Sequence, residues 1–234
     1  MKIKLLRYTK KAETICASSA NICYHHKLSK LNDYSKIKEL LSTIIMNKHY
    51  SVLEHASFTF SVKCVSRTLL TQLTRHRLAS FSVQSQRNVK IESSKKNFIV
   101  PDKIKNNKIM LKKYYLLLNS TLSLYNELLQ HNIPLEDARY ILPNATITNI
   151  IFTMNARELR HFFSLRCCNK SQWEIRNMAC HILKLVKAKT PLLFLLAGPY
   201  CVRHEGCNEL VPCRFPWKKE VLKKATSSRE LKKI

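Results

Sequence analysis

Only two of the 234 residues are glycine, Gly198 and Gly206. Glycine is the residue that takes positive φ without steric cost, so this chain has few places for a strained turn or a close backbone approach to a ligand. Neither a GxxxxGK[ST] phosphate loop nor a GxGxxG dinucleotide turn can be written with these two. Any phosphate held here must be gripped by arginine forks, hydroxyls and N–H groups at helix starts. The stretch RHRLASFSVQSQR, Arg75 to Arg87, supplies the first two in quantity. The alternative for such a run is a solvated basic helix end.

Net charge is +26, from 41 Lys and Arg against 15 Asp and Glu. That balance favours nucleic acid, a membrane surface or phosphorylated small molecules. Richness in Lys, Asn and Ile is also what AT-rich coding produces without selection for binding, so charge alone does not choose. A basic nucleic-acid-binding protein is the alternative from another class, although no zinc-finger, RNP or OB signature accompanies it. No apolar run reaches about 18 residues, and the opening MKIKLLRYTKKAE lacks a signal-peptide h-region. A soluble, cytoplasmic protein with no membrane partner is expected.

Length and a 45% hydrophobic composition suit a single domain over residues 1–216, followed by a basic tail at 217–234 with little to bury. Nine cysteines form no CxxC pair, so reduced thiols are expected. CVRHEGCNELVPC spaces Cys201, Cys207 and Cys213 around His204 in no common zinc pattern, and His49, Glu54 and His55 in KHYSVLEH do not make HExxH. No metal is expected.

Strand patterns occur at 1–8, in SFTFSVK, where Phe58, Phe60 and Val62 share a face, and in TITNIIFTM. Helical spacing runs over 34–47, from Ser66 to Arg77, and over 103–131 ahead of Pro134, with a short helix in PLEDARYIL. NARE reads as a capping box with Asn155 as N-cap and Glu158 three residues on, and SQWE repeats the device with Ser171 and Glu174. Together these patterns predict an α+β fold, an antiparallel sheet flanked by long helices.

On the predicted Ser66–Arg77 helix, Gln72 and Arg75 lie one turn apart on a face away from Leu69, Leu70 and Leu73. Further on, Arg166 falls within the apolar stripe of Leu159, Phe162 and Phe163, while Arg157, His161 and Ser164 share the opposite face. An arginine there must snorkel, pair with a carboxylate such as Glu174, or meet an anionic ligand. No GxSxG elbow or persuasive cysteine nucleophile is present and carboxylates are scarce, which points to chemistry borrowed from a cofactor.

RHRLASFSVQSQR closely resembles the RHRxxSx(N/S)xxSxR signature of flavin-dependent thymidylate synthases. HYSVLEHASFTF, EDARYILPNAT, MNARELRHFFSLRCCNKSQWEIR and AGPYCV are similar to further segments of that family, in its order, over roughly residues 1 to 216. The resemblance implies FAD-dependent reductive methylation of dUMP to dTMP, with 5,10-methylenetetrahydrofolate as carbon donor and NADPH as reductant. It also implies a homotetramer whose active sites combine residues from several subunits. An inactive homologue retained as a scaffold is a further alternative.

Carried over by position, Gln72, Arg75, Ser85, Gln86, Arg87, Arg139 and Arg166 would bind dUMP. Ser51, Glu54, Arg75, His76, Arg77, Ser82, Asn155, Arg157 and His161 would bind FAD. Arg166, reaching the uracil, and His49, beside the flavin, would be the catalytic residues. The chain departs from the family pattern at Lys48, where glycine is usual, at Asn88, where an aromatic is usual, and at Lys170; Ser82 follows a minority form. Lys48 implies strain or rearrangement just ahead of His49.

Overall fold

In the computed structural model, residues 1–24, 33–92, 94–203, 206–207 and 209–213 are described. The expected tail at 217–234 and His204 of the cysteine-rich stretch lie outside them. The alternation in SFTFSVK does build a strand. In chain order, β1 (Lys2–Tyr8) leads to helices α1 (Ala12–Tyr24) and α2 (Tyr34–Met46), a 3-10 turn (Tyr50–His55) and then β2 (Ser57–Ser66). Helix α3 (Arg67–Leu73), β3 (Ala79–Val83), α4 (Asp102–Lys105), α5 (Lys108–Gln130) and α6 (Leu135–Ala138) follow. The last elements used below are β4 (Ile147–Asn155), α7 (Ala156–Arg166) and α8 (Trp173–Lys189).

Four strands form one sheet in the order β1-β2-β4-β3, antiparallel and accompanied by helices, so the fold is α+β as expected. Register between β2 and β4 can be read from paired groups. The Ala156 amide donates to the Ala56 carbonyl, and Thr59 and Thr153 hydroxyls meet at 2.9 Å. Beyond them the Arg67 amide donates to Thr146, one residue out of step. The extra residue belongs to β2 and is absorbed at Cys64, whose φ of 58° marks a bulge. Asn149 fills the gap, its Oδ1 accepting from the Cys64 amide at 3.1 Å.

The described residues divide into two compact units. One takes Met1–Lys2, Ser61–Arg75 and Phe81–Ile151; the other takes Ile3–Phe60, His76–Ser80 and the described residues from Phe152 onward. In the first, Phe98, Leu118 and Leu122 pack together with Tyr114 and Tyr115 against them. In the second, Phe58 and Phe163 both meet the Phe194 ring edge-on, at 5.4 and 5.8 Å, and Phe60 stacks on Phe152. The inner stripe of α7, Leu159, Phe162 and Phe163, is fully buried there, as is Ile175, Met178 and Ile182 along α8.

Three boundaries differ from the sequence expectation, each for a local reason. Helix α3 stops at Leu73 rather than Arg77, because β3 begins at Ala79 and needs extended backbone, and Thr74 turns its hydroxyl onto the Leu70 carbonyl. The helix predicted over 103–131 is two helices, since Asn107 caps the amide of Met110 and starts a new one. The cap of α8 is Gln172, not Ser171: its longer amide folds back to accept from Glu174 and Ile175. Helix α1 was not anticipated at all. Its buried face is Ala12, Cys16, Ala17 and Ala20, too small to register as an apolar stripe.

Candidate functional site

The expected residues fall into two groups, one in each unit. Gln72, Arg75, Ser82, Ser85, Gln86, Arg87 and Arg139 belong to the first; His49, Ser51, Glu54, His76, Arg77, Asn155, Arg157, His161 and Arg166 belong to the second.

In the first unit, Arg75 stands exposed in the turn after α3 and Gln72 is half-buried on the helix. With α3 ending at Leu73, they do not share a helical face as anticipated. Past β3 the chain bends at Ser85, whose hydroxyl accepts from the Arg87 amide at 3.1 Å. The Arg87 guanidinium then reaches Glu136, with Nε at 2.8 Å and Nη2 at 2.7 Å from one carboxylate oxygen. Arg139 comes to the same residue, its Nε donating to the Glu136 carbonyl at 3.0 Å. Arg87 and Arg139 are thus gathered on Glu136, with Ser85 bonded to the Arg87 backbone. Arg67 stands nearby: burial, then the positive charge of Arg139, hold its guanidinium below the usual range. The side-chain nitrogen of Gln86 is buried with no hydrogen-bond partner among the described residues.

In the second unit, the start of α7 orients the site. Asn155 caps the helix by accepting from the Glu158 amide at 2.8 Å. That start fixes the phase of the face carrying Arg157, His161 and Ser164, and these three side chains line a cleft of about 510 Å³. The volume lies within the range of about 300–1,000 Å³ usual for cofactor and small-molecule sites. Arg157 pairs with Glu54, which lies with Ser51 and His49 on the exposed side of the 3-10 turn, while Val52 and Leu53 anchor that turn in the core.

Arg160 forms another wall of the cleft. Its Nη1 donates to the carbonyls of Leu193 and Leu195, both at 2.9 Å, and the guanidinium lies 5.0 Å from the Tyr50 ring centroid. Burial pushes this arginine down to about 10.

The Arg-His-Arg triplet divides by burial: Arg75 and Arg77 are exposed, and His76 is 4% exposed. His76 Nδ1 lies 2.9 Å from Glu158, Arg166 Nε donates to His76 Nε2 at 3.1 Å, and Phe162 packs edge-on against the ring at 5.0 Å. This hydrogen bond from Arg166 to a histidine was not among the outcomes anticipated for it. The ligand atoms of His76, Glu158 and His161 lie within 4.8 Å of one another, a spacing a metal could use. Both ring nitrogens of His76, however, are already committed, one to Glu158 and one to Arg166, so the ring has no lone pair to offer an ion.

Glu136, Glu158, Arg67 and Arg160 were missed as site residues. Only Glu158 carried a signal, as the last residue of the NARE capping box, and that signal pointed to the helix end rather than to His76.

The profile of the family described as "Thymidylate synthase complementing protein" matches residues 4–192. The "Flavin-dependent thymidylate synthase" of Geobacter sulfurreducens is 42% identical over 206 residues, covering 86% of this chain and 89% of the relative. The protein of the same name from Clostridium tetani is 38% identical over 229 residues, covering 89% and 91%. Among solved structures, the UMP/dUMP methylase PolB from Streptomyces cacaoi, bound with 5-Br dUMP, superposes with a TM-score of 0.74 at 22% identity, covering 82% of this chain and 94% of that one, which establishes a shared fold. With a profile match over most of its length and relatives at this level of identity, the chain belongs to the flavin-dependent thymidylate synthase family of enzymes.

Proposed function

We propose that this enzyme methylates dUMP to dTMP, using FAD, with 5,10-methylenetetrahydrofolate as carbon donor and NADPH as reductant, as a cytoplasmic homotetramer. The relatives' names and the dUMP methylase neighbour support the reaction. The observation that carries the reading is that the phosphate-seeking arginines rest on exposed carboxylates, Arg87 on Glu136 and Arg157 on Glu54. Exposed ion pairs of this kind contribute about 0–1 kcal/mol, so a phosphate dianion offering bidentate, doubly charged contact displaces the carboxylate readily.

Arg87, Arg139 and Ser85 would hold the nucleotide phosphate, and the unpartnered Gln86 amide gives the same ligand a further donor. Arg166 would face the uracil and favour charge on its carbonyl oxygen as C5 attacks the methylene carbon. His49, Ser51, Glu54, Asn155, Arg157 and His161, with Arg75, His76, Arg77 and Ser82, would bind and orient the flavin. The donor set suits an anionic, ring-bearing cofactor, and Arg157 and His161 line the cleft, whose volume lies in the range usual for cofactor sites. When bound, the flavin supplies the hydride that reduces the transferred carbon.

The purified protein should be yellow, its flavin spectrum should change on adding dUMP, and NADPH with methylenetetrahydrofolate should turn dUMP into dTMP. Colourless protein that FAD cannot reconstitute sinks the reading. In the same titration, Arg87→Ala and Arg139→Ala should each weaken dUMP by roughly 1.5 to 3 kcal/mol while FAD changes less. Unchanged dUMP affinity in both variants would remove the assigned phosphate clamp.

A further inference from the structure

Glu158 sits at the third position of α7, where a capping-box carboxylate turns back to the helix start. Here it runs inward, its Oε1 2.9 Å from His76 Nδ1, with the two side chains 7% and 3% exposed. A carboxylate buried this deeply is strongly destabilising unless a donor meets it. The direction of the hydrogen bonds is set by the one member that cannot change role. A guanidinium N–H only donates, so the contact from Arg166 Nε requires a lone pair on His76 Nε2. The ring hydrogen must then be on Nδ1, pointing at Glu158.

We propose that Glu158 is a positioning residue for Arg166: by holding His76 in the Nδ1–H tautomer, it presents the lone pair that fixes the guanidinium plane. In the other tautomer, or in imidazolium, an N–H at Nε2 would face the N–H of Arg166 and push it away. The ring cannot simply turn over to compensate, because Phe162 packs edge-on at 5.0 Å and His161 at 5.8 Å. The inference rests on the reading of Arg166 as the group that meets the uracil.

Its test has a readout independent of turnover. Two-bond proton–nitrogen correlation spectra of the holoenzyme should show His76 as the Nδ1–H tautomer and Arg166 Nε–H shifted by its imidazole partner. Glu158→Gln keeps the shape, but an amide can donate as well as accept, so it can meet either tautomer and only the Arg166 donor still favours Nδ1–H. The variant should show a mixed tautomer, a displaced Arg166 Nε–H signal and a dUMP dissociation constant raised about fivefold or more. Nδ1–H retained in Glu158→Gln, or Arg166 Nε–H unmoved while the tautomer changes, overturns the inference. Should the variant fail to fold, the wild-type spectrum still decides, because an Nε2–H tautomer there refutes the proposal outright. Wild-type protein with the expected tautomer that never binds dUMP would instead count against the proposed function.

Discussion

Lys48 follows the C-cap of α2 with a φ of 62°. Around it the His49 amide donates to the Ile44 carbonyl at 2.9 Å and the Lys48 amide to Ile45 at 3.3 Å, the crossed pair of bonds of a Schellman helix end. The departure from the usual glycine has therefore not rearranged the backbone; lysine has been forced into the left-handed region, with the steric strain this brings to an L-residue. Lys48→Gly should stabilise the protein by about 0.5–1 kcal/mol, after allowing for the greater freedom of glycine in the unfolded chain. A thermal melt checks this: the variant should melt about 2 °C higher, and an unchanged or lower Tm would mean the strain is relieved elsewhere. At this scale the clustering of the arginines was legible, because it is written in consecutive residues from Arg75 to Arg87. Their carboxylate partners were not. Glu136 is distant in sequence from Arg87, and so is Glu158 from His76, and nothing but the folded chain brings either pair together.

Helix α1 shows how one element can be tied down by a group the sequence leaves unremarked. Glu13, in its first turn, accepts from the Leu192 amide at 2.7 Å, closing a link to the segment after α8. Burial raises the Glu13 carboxyl above its ordinary 4.5, with the Leu192 amide working the other way. Folding thus favours the protonated form, a contribution present in full below about pH 4.5 and lost as pH rises through the folded-state value. Glu13→Gln retains an acceptor for Leu192 and removes the buried charge. Melts of the two proteins should coincide in acid, and the variant should gain as pH rises towards 7; a gap that stays constant with pH would refute the assignment. The elements the sequence revealed were those with large apolar residues at a clear period, β1, β2, β4, α2, α5 and α7 among them. Helix α5 was anticipated to its stop, where Asn132 takes a φ of 60° and Ile133 bonds back to Leu128. What stayed hidden was decided by small side chains, as along α1, or by competition between neighbouring elements, as where β3 cuts α3 short.

For the whole molecule, the proposed tetramer has a candidate surface along α5. Ile109, Leu116 and Leu117 are 67%, 58% and 66% exposed, an expensive display of apolar area for a chain carrying +26. If copies associate there, Leu116→Glu with Leu117→Glu should shift the mass measured by light scattering from four chains towards fewer, with the fold retained by circular dichroism. A mass identical to the wild type's would place the interface elsewhere. β1 is an edge strand of the sheet and bears Lys2, Lys4 and Arg7, all exposed. A second molecule trying to extend the ladder would bring cations against cations, so its shield is electrical rather than steric. Such a shield thins as ionic strength rises, its reach shrinking to about 3 Å in molar electrolyte. Concentrated stocks should therefore keep best in dilute buffer, and salting should bring on fibrous or amorphous precipitate through this strand before it loosens the core.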